Sequence, residues 1–218
     1  MSLQLKLLDE ASMQEIQEQA LFILETVGVK FGSKEACHIL EDLGATVDWD
    51  QLSARIPRNL VELSLHNAPM DFTLAAPDDT HEIYTGDPRP WYTSGGPCQH
   101  IRDGKTGKRR LATRADLIEC IKVMDSMASI DEWCSMVTPS DVSPAITDLV
   151  ALETSLRYSN KHFVYSGTDT RLAAYEKELF DVYLGDYREL VSAPIVTHAL
   201  ELTAPLQING EMLNSVLK

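Results

Sequence analysis

The chain has 218 residues, 44% of them hydrophobic, and 19 basic against 33 acidic side chains give a formal net charge of −14. This describes a globular chain able to bury a sizeable core in one domain or two. So acidic a surface repels a phosphate backbone and no second basic cluster builds a binding stripe, so nucleic acid is not an expected partner. No run approaches the roughly 20 apolar residues that span a bilayer, and the polar, helical N-terminus lacks a signal-peptide core; a cytoplasmic protein with no membrane contact is expected.

Residues 11–27 place Ile16, Ala20, Ile23 and Val27 on one helical stripe, with Gly28 where a left-handed cap belongs. Ser33 caps a second short helix, striped by Ala36, Leu40 and Leu43 and ended by Gly44. "ATVDWDQLSARI" alternates and turns at residues 48–50, and "PRNLVELSLHNAP" is a helix begun by Pro57 at its first position and stopped by Pro69. His38 and His66, on these helices, read as surface or capping residues. From residue 71 to 100 come short extended segments, "DFTLAA", "HEIYTG" and "RPWYTSGG", punctuated by the turn signals "PDD" and "GDP".

"CQHIRDGKTGKRRLAT" reads as two strands around the turn "DGKTG". Thr113 then caps a helix, with Asp116 three residues on in a capping box where Asp replaces Glu or Gln. Lys105, Lys108, Arg109 and Arg110 are most simply the solvated tip and outer face of this hairpin. "SGGPCQH" lacks the glycine spacing of a nucleotide loop; Gly95 and Gly96 instead read as letting the backbone approach the following domain closely. The 4 cysteines include no C-x-x-C pair and read as reduced thiols, while Cys98 and His100 supply two ligands, too few for a closed metal site. No metal is expected.

Past Thr113 helix and strand alternate. Leu117, Ile121, Met124 and Ala128 stripe a helix before the strand "DEWCSMVTP". Ala145, Leu149, Leu152 and Leu156 stripe the next, before "HFVYS". Leu172, Tyr175, Leu179 and Val182 stripe a third, before "APIVTHALEL" and a last helix from about Asn209. This rhythm predicts an α/β fold with helices covering a parallel sheet. A small α+β module with a β-rich bridge and hairpin takes residues 1–112. Residues 113–218 form the first three βα units of a TIM (β/α)8-type barrel, which needs about 250 residues to close and is incomplete here.

Chemistry in such folds gathers at the carboxyl ends of strands. That rule selects Thr138, Ser140 and Asp141; Tyr165, Ser166, Thr168 and Asp169; and His198, Glu201 and Thr203. Asp141 and Asp169 read equally well as N-caps of the helices that follow. His198 and Glu201 need partners or a ligand if buried, although three residues apart they face opposite sides of an ideal strand.

In order and spacing, "GGP", "TGKRRLATRADL", "TPSDVS", "SNKHFVYSG" and "TAPLQI" resemble the trimethylamine methyltransferase family across nearly the whole chain. Leu111 and His162 stand where that family usually has proline, and its members carry a complete barrel. The resemblance implies transfer of a methyl group from a small methylated amine, here a quaternary one such as a betaine, to the cobalt of a corrinoid. That cobalamin-type cofactor is carried by a cognate corrinoid protein and is not bound directly by this chain. For such a cation, strand-end position makes Asp141, Asp169 and Glu201, with His198, Thr138 and Ser166 beside them, the residues expected to bind substrate and stabilise its positive charge. No residue is assigned to catalysis. The alternative is a non-catalytic truncated fragment of such an enzyme that only binds or oligomerises. An open sheet exposes unpaired edges, so a homo-oligomer is expected on either reading.

Overall fold

The computed structural model describes residues 6–78, 80–167 and 169–217. The N-terminal half runs α1 (Glu10–Thr26), β1 (Val29–Lys30), α2 (Lys34–Asp42), β2 (Thr46–Asp48), β3 (Ser53–Arg55), α3 (Arg58–Asn67), β4 (Thr73–Leu74), β5 (Ile83–Tyr84), β6 (His100–Arg102) and β7 (Arg109–Leu111). There follow α4 (Arg114–Ser126), β8 (Trp133–Cys134), α5 (Thr147–Tyr158), β9 (Phe163–Tyr165), α6 (Ala173–Leu184), β10 (Val196–His198), β11 (Leu202–Thr203), β12 (Gln207–Ile208) and α7 (Gly210–Val216). The chain divides into two compact units. The first combines residues up to Ala68 with Glu201–Asn214, and the second is built mainly from Pro69–Leu200.

The first unit is a mixed sheet in the order β11-β12-β1-β3-β2, packed with α1, α2 and α3. The local signals act as their chemistry requires. Asp9 caps α1 by accepting the Ser12 amide at 2.8 Å, and Ser33 caps α2 by accepting the Ala36 amide at 3.2 Å. The Asp48 carboxylate accepts the Asp50 and Gln51 amides, both at 3.0 Å, turning β2 into β3. Gly28 takes φ +82° beyond α1, and a Cβ there would overlap the Ala54 carbonyl oxygen. Pro57 stands at the N-cap of α3, one position before the predicted one.

The burial of α1 differs from its sequence pattern. Leu21 is buried and Leu24 half-buried, whereas Ile16, Ala20, Ile23 and Val27 face solvent. The helix carries two apolar stripes, and contacts with α3 and β3 select the shorter one.

The second unit centres on a parallel three-stranded sheet, β10-β9-β8, with α5 leading into β9 and α6 leading toward β10. Trp133 lies opposite Phe163, which lies opposite Val196; His198 lies opposite Tyr165. The core joins Leu117 and Ile121 of α4, Leu152 and Leu156 of α5 and Phe180 of α6 to Trp133, Phe163 and Tyr165 of the sheet. Strands are shorter than their apolar runs. Residues 193–202 divide between β10 and β11 because the chain leaves β9 once the Ala199 amide has bonded the Tyr165 carbonyl at 2.7 Å.

The β6–β7 hairpin forms as predicted, pairing His100 with Leu111 and Arg102 with Arg109 around Asp103, which accepts the Thr106 amide at 2.8 Å. Of "DFTLAA", "HEIYTG" and "RPWYTSGG", the first two pair as β4 and β5 and the third forms no strand. Asp79 of the "PDD" turn lies outside the described residues. Nothing lies within 4 Å of a Cβ built on Gly95 or Gly96, so neither supports the close backbone approach expected of it. The segment that follows Ser94 instead borders β8. The Ser94 hydroxyl accepts the Cys134 amide at 2.8 Å and donates to its carbonyl at 2.9 Å, and Cys98 bridges Val137 in parallel. Among the described residues no sheet closes into a barrel, and no helix is long and apolar enough to cross a membrane.

Candidate functional site

Strand alternation sorts the parallel sheet into two faces. Trp133, Phe163, Tyr165, Val196 and His198 share the face toward the helices, while Cys134, Val164 and Thr197 sit half-buried on the other. At the carboxyl ends of β9 and β10 the helix-side face carries a buried polar cluster. The Tyr165 hydroxyl donates to Glu176 Oε1 at 2.7 Å, and the Tyr165 and His198 rings meet edge to face with centroids 5.6 Å apart. A Cβ on Gly167 would lie 3.0 Å from Glu176 Oε1, 3.0 Å from Tyr165 Cε1 and 3.1 Å from His198 Nε2, so glycine is what lets the three converge.

Burial sets the electrostatics of this cluster. It pushes the Glu176 carboxyl up, with the Tyr165 hydrogen bond opposing and the Asp148 and Asp169 charges adding to the rise. It pushes the Tyr165 phenol up as well, reinforced by Glu176. It pushes the His198 imidazole down, against the pull of the Ala199 backbone and the Asp148 carboxylate. Both His198 ring nitrogens are shielded from solvent, and neither finds a hydrogen-bond partner among the described residues. A carboxyl pushed toward neutrality beside an imidazole held neutral leaves this buried polar centre with little charge.

At the opposite ends of the same strands, His162 is fully buried. Its Nδ1 lies 2.8 Å from the Ala75 carbonyl, which can only accept, so Nδ1 carries the proton and Nε2 accepts from the Thr197 hydroxyl at 2.8 Å. Burial holds its pKa below the ordinary value. Lys161, 1% exposed, donates to the Met124 and Met127 carbonyls at 2.8 and 2.7 Å at the end of α4, adding a charged donor to the Met127 and Ile130 amides that these carbonyls also accept.

The residues selected from the sequence fall in several places. Asp141 accepts the Arg114 amide at 2.8 Å, so it serves the N-terminus of the preceding helix α4. Asp169 caps the 3-10 turn Thr170–Leu172 through the Arg171 amide at 2.9 Å, and the Arg171 guanidinium holds its carboxyl down at about 2. Ser166 donates to the Ala199 carbonyl at 3.4 Å, and Thr138 is half-buried with its amide on the Cys98 carbonyl at 3.0 Å. Ser166 and His198 thus both stand at the ends of β9 and β10, on opposite faces of the sheet. Glu201 is exposed in the first unit, and Thr168 lies outside the described residues. Among the described residues no group of three His, Cys, Asp or Glu could hold a metal ion. Glu176 escaped the sequence reading, although its spacing from Ala173 and Phe180 marks all three as one buried face of α6.

The family profile described as Trimethylamine methyltransferase (MTTB) matches residues 2–218. The chain belongs to this family. It is 27% identical over 199 residues to the trimethylamine methyltransferase MttB of Desulfitobacterium hafniense (strain DSM 10664 / DCB-2), an alignment covering 91% of this chain and 40% of the relative. It is 24% identical over 212 residues to the glycine betaine methyltransferase of Desulfitobacterium hafniense (strain Y51), covering 97% of this chain and 44% of the relative. The chain therefore spans less than half the length of these curated relatives. The motifs that resemble the trimethylamine methyltransferase family coincide with built features: "TGKRRLATRADL" holds the second strand of the hairpin and the capping box, and "SNKHFVYSG" holds Lys161, His162, Tyr165 and Gly167.

Proposed function

We propose that the whole protein moves a methyl group from a small quaternary amine, such as a betaine, to the cobalt of a corrinoid carried as co-substrate by a separate protein. The observation that carries this reading is the family match along residues 2–218, supported by relatives named for trimethylamine and for glycine betaine. In this reaction the C–N bond breaks and its electron pair stays on nitrogen, so a quaternary substrate leaves as a neutral amine and needs no proton donor. The protein's task is then to hold the cation in line with the acceptor and stabilise its charge. In this reading the parallel sheet supplies the first βα units of a TIM-type barrel, and the substrate sits beyond the carboxyl ends of its strands. Ser166 and Thr138 offer hydroxyls there, and Asp141 offers charge; Asp169, engaged by Arg171, orders the loop after β9.

The test is methyl transfer by the full-length protein with its corrinoid partner, following the demethylated amine by NMR with glycine betaine and with trimethylamine. Product from glycine betaine supports the reading, and product from trimethylamine alone moves it to tertiary amines. Asp141→Asn keeps an acceptor for the Arg114 amide while removing the charge, so unchanged substrate affinity in that variant removes Asp141 from the site. A second reading, in which these residues serve only binding or self-association, is favoured by the outer edge of β10, which pairs with no strand among the described residues. Absence of product from every methylated amine favours it.

A further inference from the structure

We propose that the β6–β7 hairpin is the surface on which the corrinoid-carrying protein docks, through an acidic face of that partner; this rests on the reaction proposed above. The position of the hairpin fits the task. The Cys98 amide bonds the Met136 carbonyl at 2.9 Å and the Cys98 carbonyl accepts the Thr138 amide at 3.0 Å, while the Ala112 carbonyl accepts the Ser140 amide at 2.8 Å and its hydroxyl at 2.7 Å. Cys98 bridges Val137 in parallel, so the chain enters the hairpin in the direction in which it leaves the carboxyl end of β8. The hairpin thus stands at the end of the sheet where Thr138 and Ser166 offer hydroxyls, the end to which a methyl acceptor must come. Its tip is already ordered. Asp103 Oδ1 accepts the Lys105 and Thr106 amides at 3.1 and 2.8 Å, and the Gly107 amide bonds the Asp103 carbonyl at 2.8 Å, so docking has little left to immobilise.

Residues directly opposite in an antiparallel pair share a face, and this sorts the hairpin. Ile101 packs against the core and Arg110, on the same side, holds Asp116 and Asp103. His100, Arg102, Arg109 and Leu111 share the other face, where both arginines are exposed and Leu111 is 52% exposed; Lys105 and Lys108 stand exposed at the tip. Arg102 lies directly opposite Arg109, an arrangement of like charges that costs stability. No carboxylate among the described residues relieves it: Arg102 donates to the Gly107 carbonyl at 3.4 Å and Arg109 to His100 Nδ1 at 3.1 Å. Lys105 and Lys108 likewise form no ion pair among the described residues. Acids are in excess on this chain, 33 against 19 basic side chains, and Arg58, Arg89, Arg114 and Arg188 all hold one. Cations left uncompensated around an exposed leucine suit the carboxylates of an acidic protein surface, which the two guanidinium forks can grip. Nucleic acid or an anionic membrane spreads its charge widely and meets the repulsion of the chain's net charge of −14, whereas a discrete acidic face meets the hairpin alone.

The test uses the full-length protein and its cognate corrinoid protein. Lys108→Glu with Arg109→Glu reverses two exposed charges and sets a carboxylate opposite Arg102, so the hairpin is kept, as an unchanged thermal midpoint verifies. Lys105→Glu with Lys108→Glu repeats the reversal at the tip alone, outside both strands. Lys6→Glu with Lys34→Glu, exposed in the first unit, alters net charge equally and serves as control. Calorimetry is expected to show binding of the corrinoid protein that weakens as salt rises, with Kd raised about tenfold or more in each hairpin variant and within about twofold of the wild type in the control. Methyl transfer to the protein-bound corrinoid should fall with that affinity, while transfer to reduced cobalamin free in solution stays unchanged. A wild type that does not bind the corrinoid protein overturns the proposal. So does a hairpin variant that binds like the wild type, the result expected if the rest of the full-length chain, a membrane or another anion covers these cations, and so does a control that weakens binding as much as the hairpin variants. Salt-sensitive binding that the hairpin variants lose, with transfer from no methylated amine, retains the docking surface and removes the reaction proposed above.

Discussion

Glu176 illustrates how a single buried carboxyl can couple the strand ends to pH. Burial raises its folded-state pKa, so between the unfolded value of about 4.3 and the raised one the folded chain binds more protons than the unfolded chain. Stability from this group is full below that window and declines as pH climbs through it. Glu176→Gln keeps an acceptor for the Tyr165 hydroxyl and abolishes the titration. The expected outcome is that the variant gains unfolding free energy relative to the wild type as pH goes from 4 to 7, measured by urea denaturation; a difference independent of pH shows that Glu176 titrates as an exposed carboxyl does. A second residue-scale prediction separates the basic side chains of the hairpin. Arg110 is more than part of a solvated outer face: it forks onto Asp116 at 2.6 and 2.7 Å, and that ion pair, with the Thr113 cap, drives the Asp116 carboxyl well below its usual range. Arg110→Ala should lower the thermal midpoint, whereas Lys108→Ala and Arg109→Ala leave it within error.

At the scale of elements, α4 is fixed at both ends by side chains distant from each other in sequence. Its N-terminus carries the reciprocal Thr113–Asp116 box together with Asp141, and its C-terminus is closed by Lys161 from the approach to β9. Lys161→Met keeps most of the buried stem and leaves the Met124 and Met127 carbonyls only the Met127 and Ile130 amides as donors. We expect a loss of about 2 kcal/mol, the worth of hydrogen bonds from a charged donor to carbonyls that keep a backbone partner, read from the shift of the urea midpoint at constant m. Unchanged stability would mean that water replaces the ammonium. What could be read beforehand follows the range of each cause. Caps and turns were legible because Ser33, Thr113, Asp116 and Asp48 act within three residues of themselves. The buried registers of α1 and α6 were not, because each helix has a competing apolar stripe; in α6 the chosen Tyr175 and Val182 are exposed, while Ala173, Glu176 and Phe180 are buried. Lys161 and His162 were quoted from the sequence without a role, since their partners lie 34 to 87 residues away.

At the scale of the whole molecule, the parallel sheet has two unlike edges, and this asymmetry bears on the proposed barrel. On β8 the groups pointing away from β9 are already bonded: Cys134 to the Ser94 hydroxyl, and the Cys98 backbone to Met136 and Thr138. On β10, the bonds Phe163 N–H to Ile195 and Ala199 N–H to Tyr165 show that residues 195 and 199 turn toward β9. Successive residues of a strand point their backbone groups to opposite sides, so Val196 and His198 present theirs outward. If the whole protein continues this sheet as the family reading proposes, the next parallel strand joins at β10 and bonds those two residues. Amide hydrogen exchange distinguishes the cases within one experiment. In the 218-residue chain, the Cys134 amide is expected to exchange slowly and those of Val196 and His198 faster by at least tenfold. In the full-length protein, Val196 and His198 should become as protected as Cys134. Protection of both already in the 218-residue chain at micromolar concentration, lost on dilution, places a second copy on the β10 edge; fast exchange in the full-length protein removes the continued sheet.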